Sequence, residues 1–228
     1  MCKFYQYCLK YLKSESVHTN RLGQCITWES FAPPKCVDPY TCRDFYDLLD
    51  FMVGFFQSSI LPRVDKKTSL VIFDHHAPKH QMMFCELERV AKHKTISIEE
   101  KEMLISIPRE ENIKNFLLNT LNYFQSPLEI ILNAILLLRL FLQQTKWNLR
   151  TTTWRGIFLI SLQLAHKFHG FEAPTSHELS ANYPVLDAKD FKQLERVYLK
   201  IIRYHLQFSD QDFKGILNEV FFAKLWKQ

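Results

Sequence analysis

Glycine is scarce, with five in 228 residues at positions 23, 54, 156, 170 and 215. They stand too far apart to form a P-loop or a GxGxxG turn, which excludes the nucleotide-cradling enzyme classes. No CxxC pair exists either, so neither a zinc knuckle nor a dithiol redox site is encoded. The six cysteines, Cys2, Cys8, Cys25, Cys36, Cys42 and Cys85, all fall in the first 85 residues and read as reduced thiols. The N-terminus lacks an apolar h-region and a small-residue cleavage site, so an intracellular protein, cytoplasmic or nuclear, is expected. The longest apolar stretch, Leu128 to Leu142, is broken by Glu129, Asn133 and Arg139 and falls short of the ~20 residues a bilayer span needs, so it reads as a core helix. No G-x-S-x-G elbow is present, and no tract of one charge sign.

What is present suits a globular core. The chain is 47% hydrophobic, 14% aromatic and 23% charged, with 29 basic against 24 acidic residues. Residues 1–105 are punctuated by Pro33, Pro34, Pro39, Pro62 and Pro78 and read as an irregular, partly helical extension. One amphipathic helix is expected there at 40–57, with Phe45, Leu48, Leu49, Met52, Phe55 and Phe56 on one stripe, packing on the main domain. Charged helical patches are expected at 84–93 and 97–104.

From residue 106 to 228 helix signals recur. The first helix spans 108–124, with Ile113, Phe116, Leu117, Leu121 and Phe124 on one face and Pro108 at its start. Ser126-Pro127-Leu128-Glu129 reads as a capping box opening a second helix that runs to about Gln144 and is apolar nearly all round, hence central. Thr151 or Thr152 caps a third, with Trp154, Ile157, Phe158, Ser161, Leu162 and Ala165 on its stripe and Gly170 as its stop. Thr175 with Glu178 opens a short fourth helix ending before Pro184. Asp187 with Asp190 opens a fifth, running to Leu206 with Phe191, Leu194, Tyr198, Ile201 and His205 on one face. A sixth starts at Ser209 with Asp212 at its third position and carries Phe213, Ile216, Leu217, Val220, Phe221 and Leu225. The fold class is therefore all-α.

The order SPLEIILNAILLLRLFLQ, WRGIFLISLQLAHKF and KDFKQLERVYLKIIRYHLQFS resembles the cyclin box, in particular the cyclin Y and Pho80-like branch. The matching motifs are a third helix ending L-A-x-K-aromatic and a fifth containing L-E-R-x-Y-L, and the similarity covers about 105–226. The resemblance implies a single cyclin-box five-helix bundle and a regulatory subunit, without catalytic residues or cofactor, that binds and activates a cyclin-dependent protein kinase by positioning its C helix. It further implies that Lys167 and Glu195 face the kinase. A Lys at a helix C-terminus suits the macrodipole and can donate to partner carbonyls, and a carboxylate can accept from a basic partner. Phe168, Phe171 and Leu164 are the accompanying apolar candidates; the two phenylalanines fit either core plugs or exposed anchors, and Glu195 could instead pair with Lys192 or Arg196. The first helix lacks the M-R-x-I-L-x-x-W pattern of the substrate-docking patch, so recruitment through that patch is not expected. Cys2 in place of glycine excludes myristoylation and leaves acylation of Cys2 or Cys8 as the route to a membrane.

Competing constellations are weaker. SLVIFDHHAP at 69–78 places Asp74, His75 and His76 as in metal-dependent phosphoesterases, but no D-x-D motif follows a strand upstream. Cys36 and Cys42 with His75 and His76 could bind zinc, yet their six-residue spacing exceeds the usual gap. Residues 109–228 carry 15 basic and 11 acidic residues, with Arg139, Lys146, Arg150 and Arg155 near the second helix turn. That small excess argues against nucleic acid, and a cyclin-fold scaffold or transcription-factor-like module without kinase activation is the alternative.

Overall fold

The computed structural model describes residues 40–61, 83–86, 106–183 and 186–225. Seven helices lie among them: α1 (Tyr40–Ser59), α2 (Glu110–Phe124), α3 (Leu128–Thr145), α4 (Trp154–Phe168), α5 (Ser176–Asn182), α6 (Ala188–Ile201) and α7 (Asp210–Leu225). Two short strands, β1 (Ile60–Leu61) and β2 (Leu149–Arg150), pair in parallel, with Ile60 opposite Leu149 and Leu61 opposite Arg150. The all-α reading holds. The expected patch at 97–104, the 69–78 segment and most of the patch at 84–93 lie outside the described residues.

α3 organises the rest. Its 18 residues are long and apolar enough by length and composition to cross a membrane, but more than half of them are buried inside this fold. Ile130 to Leu138 and Phe141 are all buried, a run that leaves no wet face along most of the helix. A helix of that kind must be covered on every side. α4 covers it most extensively, and α6 and α7 take further sides. The aromatic residues interlock across these contacts. Phe141 of α3 stacks on Tyr198 of α6 at 4.4 Å between ring centroids. Trp154 of α4 meets Phe56 of α1 at 5.1 Å and Phe116 of α2 at 4.9 Å. Fully burying a phenylalanine side chain such as Phe56 or Phe141 contributes about 1.5–3 kcal/mol.

The helix expected at 40–57 is α1, and Leu48, Leu49, Met52 and Phe56 of its predicted stripe are buried together with Val53. It packs on α2 and α7, and Lys114 reaches Asp50 at 3.3 Å across the α1–α2 contact. Residues 83–86 add a second insertion into the same core. Phe84 is buried against Phe141 and Trp147, and Cys85 donates to Thr152 Oγ1 at 3.6 Å. Glu86 is fully buried, its N–H bonded to the Thr152 carbonyl and its Oε2 3.1 Å from Arg155 Nη1. Burial raises the Glu86 pKa, with the Arg155 charge opposing it, and pushes the neighbouring Tyr183 well up. Arg155 also donates to the Thr151 carbonyl and lies 4.8 Å from the Trp154 ring centroid.

Helix ends follow the predicted signals in some places and not in others. Thr175 with Glu178 and Asp187 with Asp190 form complete capping boxes. Ser209 and Asp212 exchange the same bonds before α7. The capping box expected at Ser126 is absent: Pro127 is the N-cap of α3 and no side chain caps it, because the Ser126 hydroxyl is taken by His166. Thr153, not Thr151 or Thr152, caps α4 in position, and its hydroxyl bonds with Arg150. Gly170, at φ 70°, stops α4 as expected, with Phe171 N–H on the His166 carbonyl and Gly170 N–H on that of Lys167. α6 ends at Ile201, five residues short of the predicted Leu206. There Arg203 and Tyr204 adopt left-handed φ of 54° and 58°, and their N–H groups bond the carbonyls of Lys200 and Leu199. His205, predicted on the buried face, is consequently exposed.

Two outcomes follow from this packing. Ala165 is completely buried on α4, so Ala165→Arg places an unpaired cation in the core and should abolish cooperative thermal unfolding; a normal melt would show the packing of α4 to be misassigned. Arg155→Ala strands the Glu86 carboxylate in the core and should cost about 3–5 kcal/mol in denaturant unfolding at neutral pH. The folded-state pKa of Glu86 is already raised, so protonation favours the fold, and this variant should regain stability as pH falls from 7 towards 4.5.

Candidate functional site

The C-terminal end of α4 and the middle of α6 bring the two principal candidates together. Lys167 lies in the last turn of α4, where a cation is favoured by the helix dipole. Its Nζ donates to both carboxylate oxygens of Glu195, each at 2.7 Å, across 28 residues of sequence. Of the pairings open to Glu195, the structure selects Lys167 over Lys192 or Arg196. The lysine side chain is 43% exposed and the glutamate 18%, so the pair lies at the surface with its cation turned outward. A pair this exposed contributes at most about 1 kcal/mol to folding.

Aromatic surface adjoins it. Phe168 is 43% exposed and Phe171 47%, which answers the core-plug alternative for both. Leu164, the remaining candidate, is buried at 3% exposure and presents no surface: it lies one turn before Phe168, on the part of α4 that faces the core. Beyond Phe168 opens a shallow groove of about 620 Å³, lined by Phe168, Tyr204, His205, Phe208, Ser209 and Asp212 among others. It exists because α6 stops early. Tyr204, 64% exposed, is the most exposed large apolar residue there. Nothing in the sequence announces the groove, since the helical stripe continues past Ile201 into His205.

Behind this surface a polar cluster fixes the α4 end to the start of α3. His166 Nε2 and Ser126 Oγ are 2.8 Å apart, and Asn133 Nδ2 contacts His169 Nε2. His169 Nδ1 lies 3.9 Å from Glu129. Burial holds the His166 pKa down at about 4; the His169 charge acts in the same direction and a hydrogen bond to the Glu172 backbone opposes both. His166 is therefore neutral near pH 7 and its ring also meets Phe124 and Phe171 edges. Ser126 was expected as a helix cap, which it is not, and nothing local marked it as a partner of a residue 40 positions away.

The other candidates fare differently. Two of the four basic residues near the second helix turn are paired with carboxylates. Arg139 makes a paired contact with Glu219 of α7, at 2.7 Å from Nη1 to Oε1, and lies 5.7 Å from the ring centroids of Phe51 and Phe55. Arg155 is buried with Glu86. Among the described residues no three His, Cys, Asp or Glu side chains are placed to hold a metal ion. Asp74, His75, His76 and Cys36 lie outside the described residues, and of Cys42 only the backbone is described.

The depressed His166 pKa generates a pH dependence. Its folded pKa lies below the unfolded value near 6.5, so the unfolded chain takes up the proton first and stability falls as pH drops from about 6.5 to 4, where the contribution levels off. Unfolding midpoints measured across that window should show this slope in the wild type and a flatter one in His166→Gln. An unchanged slope in the variant would assign the effect to other groups.

No family model matches this chain, and neither a curated protein nor a solved structure is found to be similar to it.

Proposed function

We propose that this chain is a cyclin-like regulatory subunit that binds and activates a cyclin-dependent protein kinase, with its docking surface at the C-terminal end of α4 and the adjoining side of α6. The observation that carries the reading is the Lys167–Glu195 pair. The two residues matched to kinase-facing cyclin positions, chosen from separate motifs, meet at 2.7 Å on an accessible surface. Supporting it are five helices α2 to α6 in the expected order, a central apolar α3, and the exposed rings of Phe168 and Phe171 beside the pair.

The chemistry of such a surface is positional. Glu195 holds the lysine ammonium with two oxygens and leaves one of its three protons for a partner carbonyl. The aromatic rings supply the apolar area from which most affinity would come. A kinase C helix laid against this surface is held in register, so that its glutamate reaches the catalytic lysine, as phosphoryl transfer requires. The chain takes no part in the chemistry itself.

Purified chain mixed with a panel of cyclin-dependent kinase catalytic subunits should raise the peptide phosphorylation of at least one above its background. Lys167→Ala/Glu195→Ala should lose that binding and activation while its circular dichroism and melting stay near wild type. Binding without activation would favour the scaffold alternative, and no binding by any member of the panel would sink the proposal.

A further inference from the structure

α6 carries a charge pattern that the kinase reading does not use. Its exposed residues are Lys189, Lys192, Gln193, Arg196 and Lys200, and Arg203 extends the series just past the helix end. Five of these six are cations and none is acidic. Spacings of three, four and four residues keep Lys189, Lys192, Arg196 and Lys200 on one stripe, opposite the buried stripe of Phe191, Leu194 and Tyr198, over about 17 Å, and Arg203 follows in the turn beyond the helix end.

The nearby acids are committed elsewhere. Asp187 and Asp190 bond each other's backbone in the capping box, and Glu195 is held by Lys167. Among the described residues no carboxylate forms an ion pair with any of the five cations. A solvated helix face ordinarily mixes signs at three- and four-residue spacing, because like charges there repel. Within this molecule Arg139 and Arg155, two of the four basic residues near the α3–α4 turn, each have a carboxylate partner.

We propose that the outer face of α6 is a docking surface for the phosphodiester backbone of B-form DNA, read without regard to base sequence. The ligand must be a polyanion with charges repeated over about 17 Å or more. The ridge is a convex α-helix, which the ~12 Å major groove of B-DNA admits and the narrow A-form groove does not. The exposed ring of Tyr204 stands only at the end of the row, after Arg203, and no aromatic residue is exposed between the cations, so successive unpaired bases have no series of rings to stack on. The apolar face of α6 is spent in the protein core, so this helix has none to bury in a bilayer. The assignment uses the outward cations of α6 and not the Lys167–Glu195 pair through which the same helix joins the proposed kinase surface.

Fluorescence anisotropy of a labelled B-DNA duplex with the full chain tests it. Five phosphate contacts predict a slope of about −4.5 in log K against log salt, a loss of about 500-fold between about 50 and 200 mM. Lys192→Gln/Arg196→Gln/Lys200→Gln leaves two cations and should lose only about 12-fold over the same range, starting from a weaker low-salt affinity. The three residues are exposed, so melting should be unchanged, and Lys189→Gln/Arg203→Gln provides a second variant with an intermediate slope. An unaltered slope in both variants would overturn the site. Equal binding to an RNA duplex or to single strands, equal displacement by polyglutamate, or capture by phosphatidylserine vesicles in place of the duplex would overturn the assignment to DNA.

Discussion

A helix that is apolar on every side cannot face water, and α3 imposes that constraint on the whole molecule. Ile130 to Leu138 leave no face of that stretch fit for solvent, so α4, α6 and α7 are held against α3, while α1 and α2 pack together and reach α4 through Phe56, Phe116 and Trp154. The order of the surrounding helices then decides which of their ends come together. The C-terminal end of α4 is brought beside the start of α3 and the middle of α6, and this is where the polar cluster of Ser126, His166, Asn133 and His169 and the Lys167–Glu195 pair are found. Surface chemistry in this protein is a consequence of how one buried helix is wrapped.

Two polar pairs inside the wrapping join residues far apart in sequence. Ser161 accepts or donates with Tyr198 at 2.6 Å, tying α4 to α6, and burial raises the Tyr198 pKa so that the phenol stays neutral. Glu86 and Arg155 tie the 83–86 segment to the start of α4. A buried ion pair is weak as a source of net stability, because desolvating both charges offsets their attraction.

Two functional readings share α6. The side that carries Glu195 faces Lys167 and the exposed phenylalanines, whereas Lys189, Lys192, Arg196 and Lys200 point away from the core. A single helix can thus present a hydrogen-bonded pair to one partner and a line of cations to another, since residues at three- and four-residue spacing share a stripe and those between them do not.

Much of the helical plan was legible locally. Periodicity marked the buried stripes of α1, α2 and α6, and the reciprocal capping bonds at Thr175, Asp187 and Ser209 formed as written, because they span only three residues. Gly170 was readable as a stop because glycine enters the left-handed region freely. Arg203 and Tyr204, which end α6, were not, since left-handed conformations at such residues cost roughly 1–2 kcal/mol each and are accepted here only within the folded chain. Ser126 failed for the related reason that a distant histidine competes for its hydroxyl, and Leu164 and Phe168, one turn apart on α4, divided between core and surface only once neighbouring helices were in place. The sequence by itself determined the all-α class, the centrality of α3 and most helix starts, because these depend on residues within a turn or two. Tertiary structure alone decided the Lys167–Glu195, Ser126–His166 and Glu86–Arg155 pairings and the groove beside Phe168, because each depends on which surfaces a buried helix brings into contact.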